Sequence, residues 1–206
     1  NFLSRILSVG NVGIGKNRKL VPTRFSITAV DSNLGNYLVS KIKDYQQSNY
    51  LVFFGGYLGN FYLIMFFPEV WSYELFETHV SNVNRYMTDY EPYEGRKYYV
   101  EQTAGGFYAC RIGILEKLEE MKRQGSVLAL RFVTGDYTLP LGVFVCREAT
   151  RKALQSKPIE FSSRELMLEY AIKLARKRFN FSLDDILWQS MLLKKVTEQS
   201  KLMKFL

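Results

Sequence analysis

The hydrophobic and polar positions of this chain change period several times, and each change predicts an element. FSITAVD, residues 25–31, alternates over a short run and predicts a strand. In SNLGNYLVSKIKDY, Leu34, Leu38 and Ile42 return at helical spacing, predicting a helix capped by Ser32 or Asn33 and weakened by Gly35. YLVFFGGYLGNFYLIMFF contains two strand-like runs, about 50–57 and 60–67, around Gly59-Asn60, which is a hairpin signal. SYELFETHVS reads as helix and carries His79. Residues 90–100 are rich in tyrosine and turn formers and lead into the strand-like KYYVEQ.

The period then lengthens. TAGGFYACRIGILEKLEEMKRQG places Tyr108, Ile112, Leu115, Leu118 and Met121 on one helical stripe, opened by two glycines and ended by Gly125. VLALRFVT predicts a strand, and LPLGVFVCRE a second that runs into a helix over roughly 147–155. The rest reads as helix. SSRELMLEYAIKLARKRF opens with a capping box from Ser162 to Glu165, and SLDDILWQSMLLKKV opens at Ser182 and Asp185. KPIEFSS is the best linker in the chain. The pattern predicts an α+β fold: a mixed or antiparallel sheet with flanking helices and a helical C-terminal segment. Three regions are expected: an α+β core over 1–157, a helical segment over 158–198 packed on it, and a tail over 199–206.

Of the 206 residues, 47% are hydrophobic and 23% charged, enough for a sizeable core and too apolar for global disorder. Lysine and arginine number 28 against 20 acids, a formal +8, which favours a polyanionic partner, nucleic acid before an anionic membrane. No apolar run reaches the ~18–20 residues of a transmembrane helix. The first residue is Asn1 rather than methionine, so the chain reads as a fragment or a trimmed form. Cys110 and Cys146 sit among apolar neighbours and read as buried free thiols of an intracellular, cytoplasmic protein. With His79 alone, no Cys/His zinc spacing exists, and no metal site or cofactor is indicated.

Candidate chemistry is sparse. Lys16, Arg18, Lys19 and Arg24 crowd the segment before residue 25, where they serve either as phosphate contacts or as a solvated basic loop. Gly13-Ile14-Gly15-Lys16 lacks the spacing of a phosphate-binding P-loop. In EQTAGGFYACR, Thr103, Gly105, Gly106 and Arg111 have the makings of an anion cradle at a helix start; alternatively the glycines only make a tight joint. Asp31 and Glu148 are the carboxylates placed to act as acid, base or metal ligand, with Arg147 beside them; structural ion pairing is the simpler reading. Aromatic residues, 15% of the chain, stack bases where exposed and otherwise fill the core. ARKRF, residues 175–179, puts three cations at a helix C-terminus, where the dipole favours them.

Three blocks, RKLVPTRFSITAVD, YEGRKYYVEQTAGGFYACRIGILEKL and LPLGVFVCREATRKA, together resemble the archaeal Nre family of DNA-repair proteins over most of residues 18–155. Positions repeated in that family match Arg18, Pro22, Thr23, Arg24, Asp31, Gly105, Gly106, Arg111, Arg147 and Glu148 here. Family members are longer and carry N-terminal cysteines that resemble a zinc module. Nothing here matches that N-terminal part, so the chain resembles the C-terminal portion of such a protein or a truncated relative. The resemblance implies a process, repair of DNA damage, and a partner, the sliding clamp PCNA, bound through a C-terminal motif. It supplies no catalytic residue.

The clamp motif wants glutamine, then an aliphatic residue and two aromatics at fixed spacing, so that one turn makes an apolar plug. In QSKLMKFL, Gln199, Leu202 and Phe205 fit, while Leu206 stands where the second aromatic belongs. The competing reading is a terminal helix docked on its own domain; the clamp reading requires a tail that is mobile or loosely held in the free protein. Two functions follow. One is a repair factor that holds DNA by a basic face and PCNA by its tail. The other is a nucleotide- or DNA-end-processing enzyme with its anion site at the Thr103–Gly106 turn.

Overall fold

The computed structural model describes residues 11–12, 15–17, 19–20, 23–81, 85–138 and 142–202, with side chains described for 15–17, 27–81, 85–138 and 142–198. In chain order the elements are β1 (Asn11–Val12), β2 (Lys19–Leu20), α1 (Thr23–Ile42), β3 (Gln46–Gln47), β4 (Tyr50–Tyr57), β5 (Asn60–Phe67), β6 (Ser72–His79) and β7 (Tyr86–Glu91). Then follow α2 (Ala104–Met121), β8 (Arg123–Gln124), β9 (Ser126–Val133), α3 (Val143–Leu154), β10 (Ile159–Phe161), α4 (Arg164–Phe179), α5 (Asp184–Gln189) and α6 (Met191–Leu202).

The runs NFYLIMFF and SVLALRFV are apolar at nearly every position because helices cover both of their faces. They lie at the centre of a six-stranded sheet of order β10-β4-β5-β9-β6-β7. β9 is antiparallel to β5 and parallel to β6, so the sheet is mixed and the α+β expectation holds. On one face, Phe53, Tyr62, Ile64, Phe66 and Tyr73 pack under α1, α2 and α3 with Phe107, Ile114, Leu118 and Ala149. On the other, Leu63, Met65, Phe76, Leu130 and Phe132 pack under α4, α5 and α6 with Met167, Ala171, Ile186 and Leu192. The β4–β5 hairpin forms as its signal predicts: Tyr57 pairs with Asn60, and Leu58 and Gly59 turn with φ of 48° and 72°.

Several local readings change. FSITAVD is helical and lies inside α1, so Ser32 and Asn33 are mid-helix rather than caps. The buried positions Thr28, Asp31, Gly35, Val39 and Ile42 are spaced for a helix face against α2, and that packing outweighs the β-branched alternation. SYELFETHVS is the buried strand β6, not a helix, and His79 is its exposed end. KYYVEQ forms no strand. α2 ends at Lys122, whose φ of 52° closes the helix through its N–H to Glu119 and Leu118, ahead of Gly125. The segment expected to be a strand before residue 147 is helical from Val143; Leu139–Leu141 lie outside the described residues.

Two C-terminal readings change as well. KPIEFSS is not a free linker, since Ile159–Phe161 pairs with Tyr50–Val52 at the sheet edge. The α4 cap is Ser163, whose Oγ accepts from Leu166 N–H at 3.3 Å, one residue after the expected cap. The last helical run is broken at Ser190. There the buried Glu74 carboxylate, from β6, accepts from Ser190 Oγ (2.5 Å) and from the N–H groups of Met191 and Leu192 (3.0 Å each), starting α6 afresh. Burial pushes the Glu74 carboxyl up from its ordinary value, and these donors pull it back. The tail expected to be separate and loosely held over 199–206 begins inside α6, which runs to Leu202 without a break at Gln199; Met203–Leu206 lie outside the described residues.

Candidate functional site

The start of α2 has the free N–H groups that make any helix N-terminus attract an anion. Just ahead of it the protein places an anion of its own. Asp89, on β7, accepts from Thr103 N–H (2.8 Å), Thr103 Oγ1 (2.9 Å), Gln102 N–H (3.0 Å) and Glu101 N–H (3.4 Å). The glycines that follow permit close packing. A Cβ on Gly105 would meet Val143 Cγ1 of α3, and one on Gly106 would meet the Glu77 carboxylate of β6. Glu77 is paired with Arg131, and Asn60 Oδ1 takes two further bonds from that guanidinium, from Nε at 3.0 Å and Nη2 at 2.5 Å. The turn from Thr103 to Gly106 is thus a tight joint, and Asp89 holds the residues that lead into it, Glu101 to Thr103.

Arg111 lies one to two turns further along α2 and faces inward. Its Nη2 donates to Glu91 Oε1 (2.7 Å) and to Asn36 Oδ1 (3.0 Å). Gly35 on α1 has no side chain because the guanidinium lies there: a Cβ would sit 2.4 Å from Nη1. Asp31, also on α1, is buried and accepts from Arg147 Nη1 at 2.7 Å. Burial pushes the Asp31 carboxyl up and the Arg147 charge pulls it back. Glu148 is exposed and joins Arg151, which also binds Glu116 through two bonds of 2.6 and 2.8 Å.

The structure brings three of the predicted residues together: Arg147 pairs with Asp31 at 2.7 Å and lies 3.8 Å from Glu148. Thr103 is bonded instead to Asp89, Arg111 to Glu91, and Glu148 also to Arg151. Among the described residues no group of three His, Cys, Asp or Glu side chains is placed to hold a metal ion. Lys19 belongs to β2 and Arg24 to α1, and Gln199 and Leu202 to α6; their side chains, and Arg18, Phe205 and Leu206 entirely, lie outside the described residues. The sequence reading missed the carboxylates Asp89, Glu77 and Glu91, because they come from strands distant in sequence and no spacing marks them. A cavity of about 750 Å³ beside this joint is lined by Glu77, His79, Arg85, Met87 and Gln102.

Two family models match the chain: the one described as archaeal Nre, C-terminal, over residues 91–205, and the one described as archaeal Nre, N-terminal, over residues 1–83, so the likeness is not confined to the C-terminal portion expected from sequence. A DNA repair protein NreA of Haloferax volcanii is 38% identical over 165 residues, covering 75% of this chain and 39% of that protein. A DNA repair protein NreA of Archaeoglobus fulgidus is 37% identical over 172 residues, covering 79% of this chain and 43% of that protein. A DNA repair protein NreB of the same organism is 32% identical over 203 residues, 95% of this chain and 50% of its own length. The chain thus spans half or less of the length of these relatives. No solved structure matches it.

Proposed function

The chain belongs to the archaeal Nre family, and from that premise we propose that it acts in DNA repair, holding DNA through exposed cations and the PCNA clamp through its tail. The observation that carries the DNA reading is the uneven use of charge. The buried and half-buried cations Arg111, Arg131 and Arg147 are matched by carboxylates. The exposed Lys97, Lys152, Lys157, Arg176, Lys177 and Arg178 have no carboxylate within 4.0 Å among the described residues. Cations left free at the surface attract phosphates without choosing a sequence. The clamp reading rests on the spacing of Gln199, Leu202 and Phe205 in QSKLMKFL.

A labelled DNA duplex and a labelled single strand, titrated with the protein at several salt concentrations, test the first half. With ~4–5 phosphate contacts, log K should fall against log salt with a slope of about −4. Absence of binding at low salt defeats it. For the second half, a pull-down with the clamp should recover the full chain and fail after deletion of residues 199–206. Unchanged recovery assigns clamp binding elsewhere or nowhere.

A further inference from the structure

The loop after β7, residues 92–103, carries two exposed tyrosines, of which Tyr99 lies with its ring 5.0 Å from that of Tyr108. Tyr98 is 83% exposed and Tyr99 49%. Arg96 fixes them in place from below, donating from Nη1 to Tyr90 O (2.7 Å), from Nε to Tyr98 O (3.3 Å) and from Nη2 to Tyr99 O (3.5 Å). Between this loop, α1 and α2 lies a cavity of about 240 Å³, lined by Ser32, Arg96, Tyr98, Tyr99, Tyr108 and Arg111. Asn36 and the Glu91 carboxylate complete the wall.

Arg111, 3% exposed, lines this cavity with an unusual deficit. Its Nη2 is bonded, but Nε and Nη1 are buried with no partner. A guanidinium with unpaired buried donors is costly unless an acceptor arrives. Glu91 Oε1 takes Arg111 Nη2 and Trp71 Nε1, and neither Nε nor Nη1 is bonded to its carboxylate. Asp89, 3.6 Å from Arg96, is turned to the start of α2. Tyr108 Oη accepts from Val100 N–H at 3.4 Å, which leaves its own proton to donate. The cavity thus combines a buried guanidinium, a phenol and a second arginine with the Glu91 carboxylate and Asn36, and has exposed aromatic rings at its mouth.

We propose that this cavity receives the terminal phosphate of a DNA strand, with the terminal bases stacked on Tyr98 and Tyr99. The proposal rests on the DNA-binding reading above and narrows it. A phosphomonoester brings several acceptor oxygens to donors that lack them. Exposed phenol rings beside cations are a sequence-tolerant stacking surface.

Fluorescence anisotropy of the full chain with a short single-stranded oligonucleotide bearing a 5′-phosphate, a 3′-phosphate or only hydroxyl ends tests this. One phosphorylated end should bind about tenfold tighter than the hydroxyl form. Tyr98→Ala with Tyr99→Ala should weaken that binding about tenfold, and Tyr98→Phe should not. Arg111→Lys should abolish the preference for phosphate; because Arg111 is buried, the exposed tyrosine variants give an independent readout. Equal binding of all ends, or binding indifferent to both tyrosines, overturns this site while a surviving salt dependence keeps the broader DNA reading. Inorganic phosphate competing as well as the phosphorylated strand assigns the cavity to a free anion and overturns the strand-end assignment. Failure of every oligonucleotide to bind at low salt defeats both.

Discussion

Replacing Asp89 by alanine removes the anion that holds the entry to α2. Three of its bonds have good geometry: Thr103 N–H at 2.8 Å, Thr103 Oγ1 at 2.9 Å and Gln102 N–H at 3.0 Å. The Glu101 bond at 3.4 Å and the Arg96 contact at 3.6 Å are too long to count for much. A hydrogen bond to a charged group nets about 1.5–3 kcal/mol. Thr103 is 2% exposed, so water does not replace its two bonds, whereas Gln102 is exposed and recovers part of its loss. The expected cost is about 4 kcal/mol for Asp89→Ala and about half that for Asp89→Asn, which keeps one oxygen acceptor. In a domain of this size that corresponds to a fall in Tm of about 8–16 °C for the alanine variant. Urea and thermal unfolding followed by circular dichroism measure it. Stability within about 0.5 kcal/mol of the parent would refute the claim that Asp89 holds the entry to α2.

Further outcomes are expected. Gly35→Ala should destabilise by about 2 kcal/mol, although alanine favours helix by about 1 kcal/mol, because its Cβ would displace Arg111 from Glu91; a stabilised variant contradicts the packing. Hydrogen bonds from Lys122, Lys41 and Tyr45 hold the Glu119 carboxyl down at about 2, from an ordinary 4.5. Its contribution is therefore complete above pH 4.5 and lost as pH falls through about 2, so Glu119→Gln should flatten the acid limb of a stability–pH curve; an unchanged limb counts against the cluster. Burial pushes the Cys110 thiol up to about 12 and the Cys146 thiol up as well, so both should resist a thiol reagent until denaturant is added; rapid labelling of the native protein disproves their burial.

Much of the sheet was legible in the chain itself. Continuous apolar runs at 60–67 and 127–133 marked strands covered on both faces, and Gly59 marked the hairpin between β4 and β5. The stripe Tyr108, Ile112, Leu115, Leu118 marked α2. These signals are periodic and local, so one sequence suffices to read them. The basic balance and the spacing of QSKLMKFL are likewise properties of the chain alone.

Tertiary structure decided the rest. FSITAVD alternates like a strand, but Asp31 and Gly35 become buried against Arg147 and Arg111 only when the segment is a helix. SYELFETHVS has helical spacing, but β9 offers it a parallel partner over its whole length. The bonds that hold Thr103 at the entry to α2 could not be read from the chain because their acceptor, Asp89, lies on a different element. The unpaired nitrogens of Arg111 are invisible in sequence for the same reason: whether a donor has a partner depends on which distant residues the fold brings beside it.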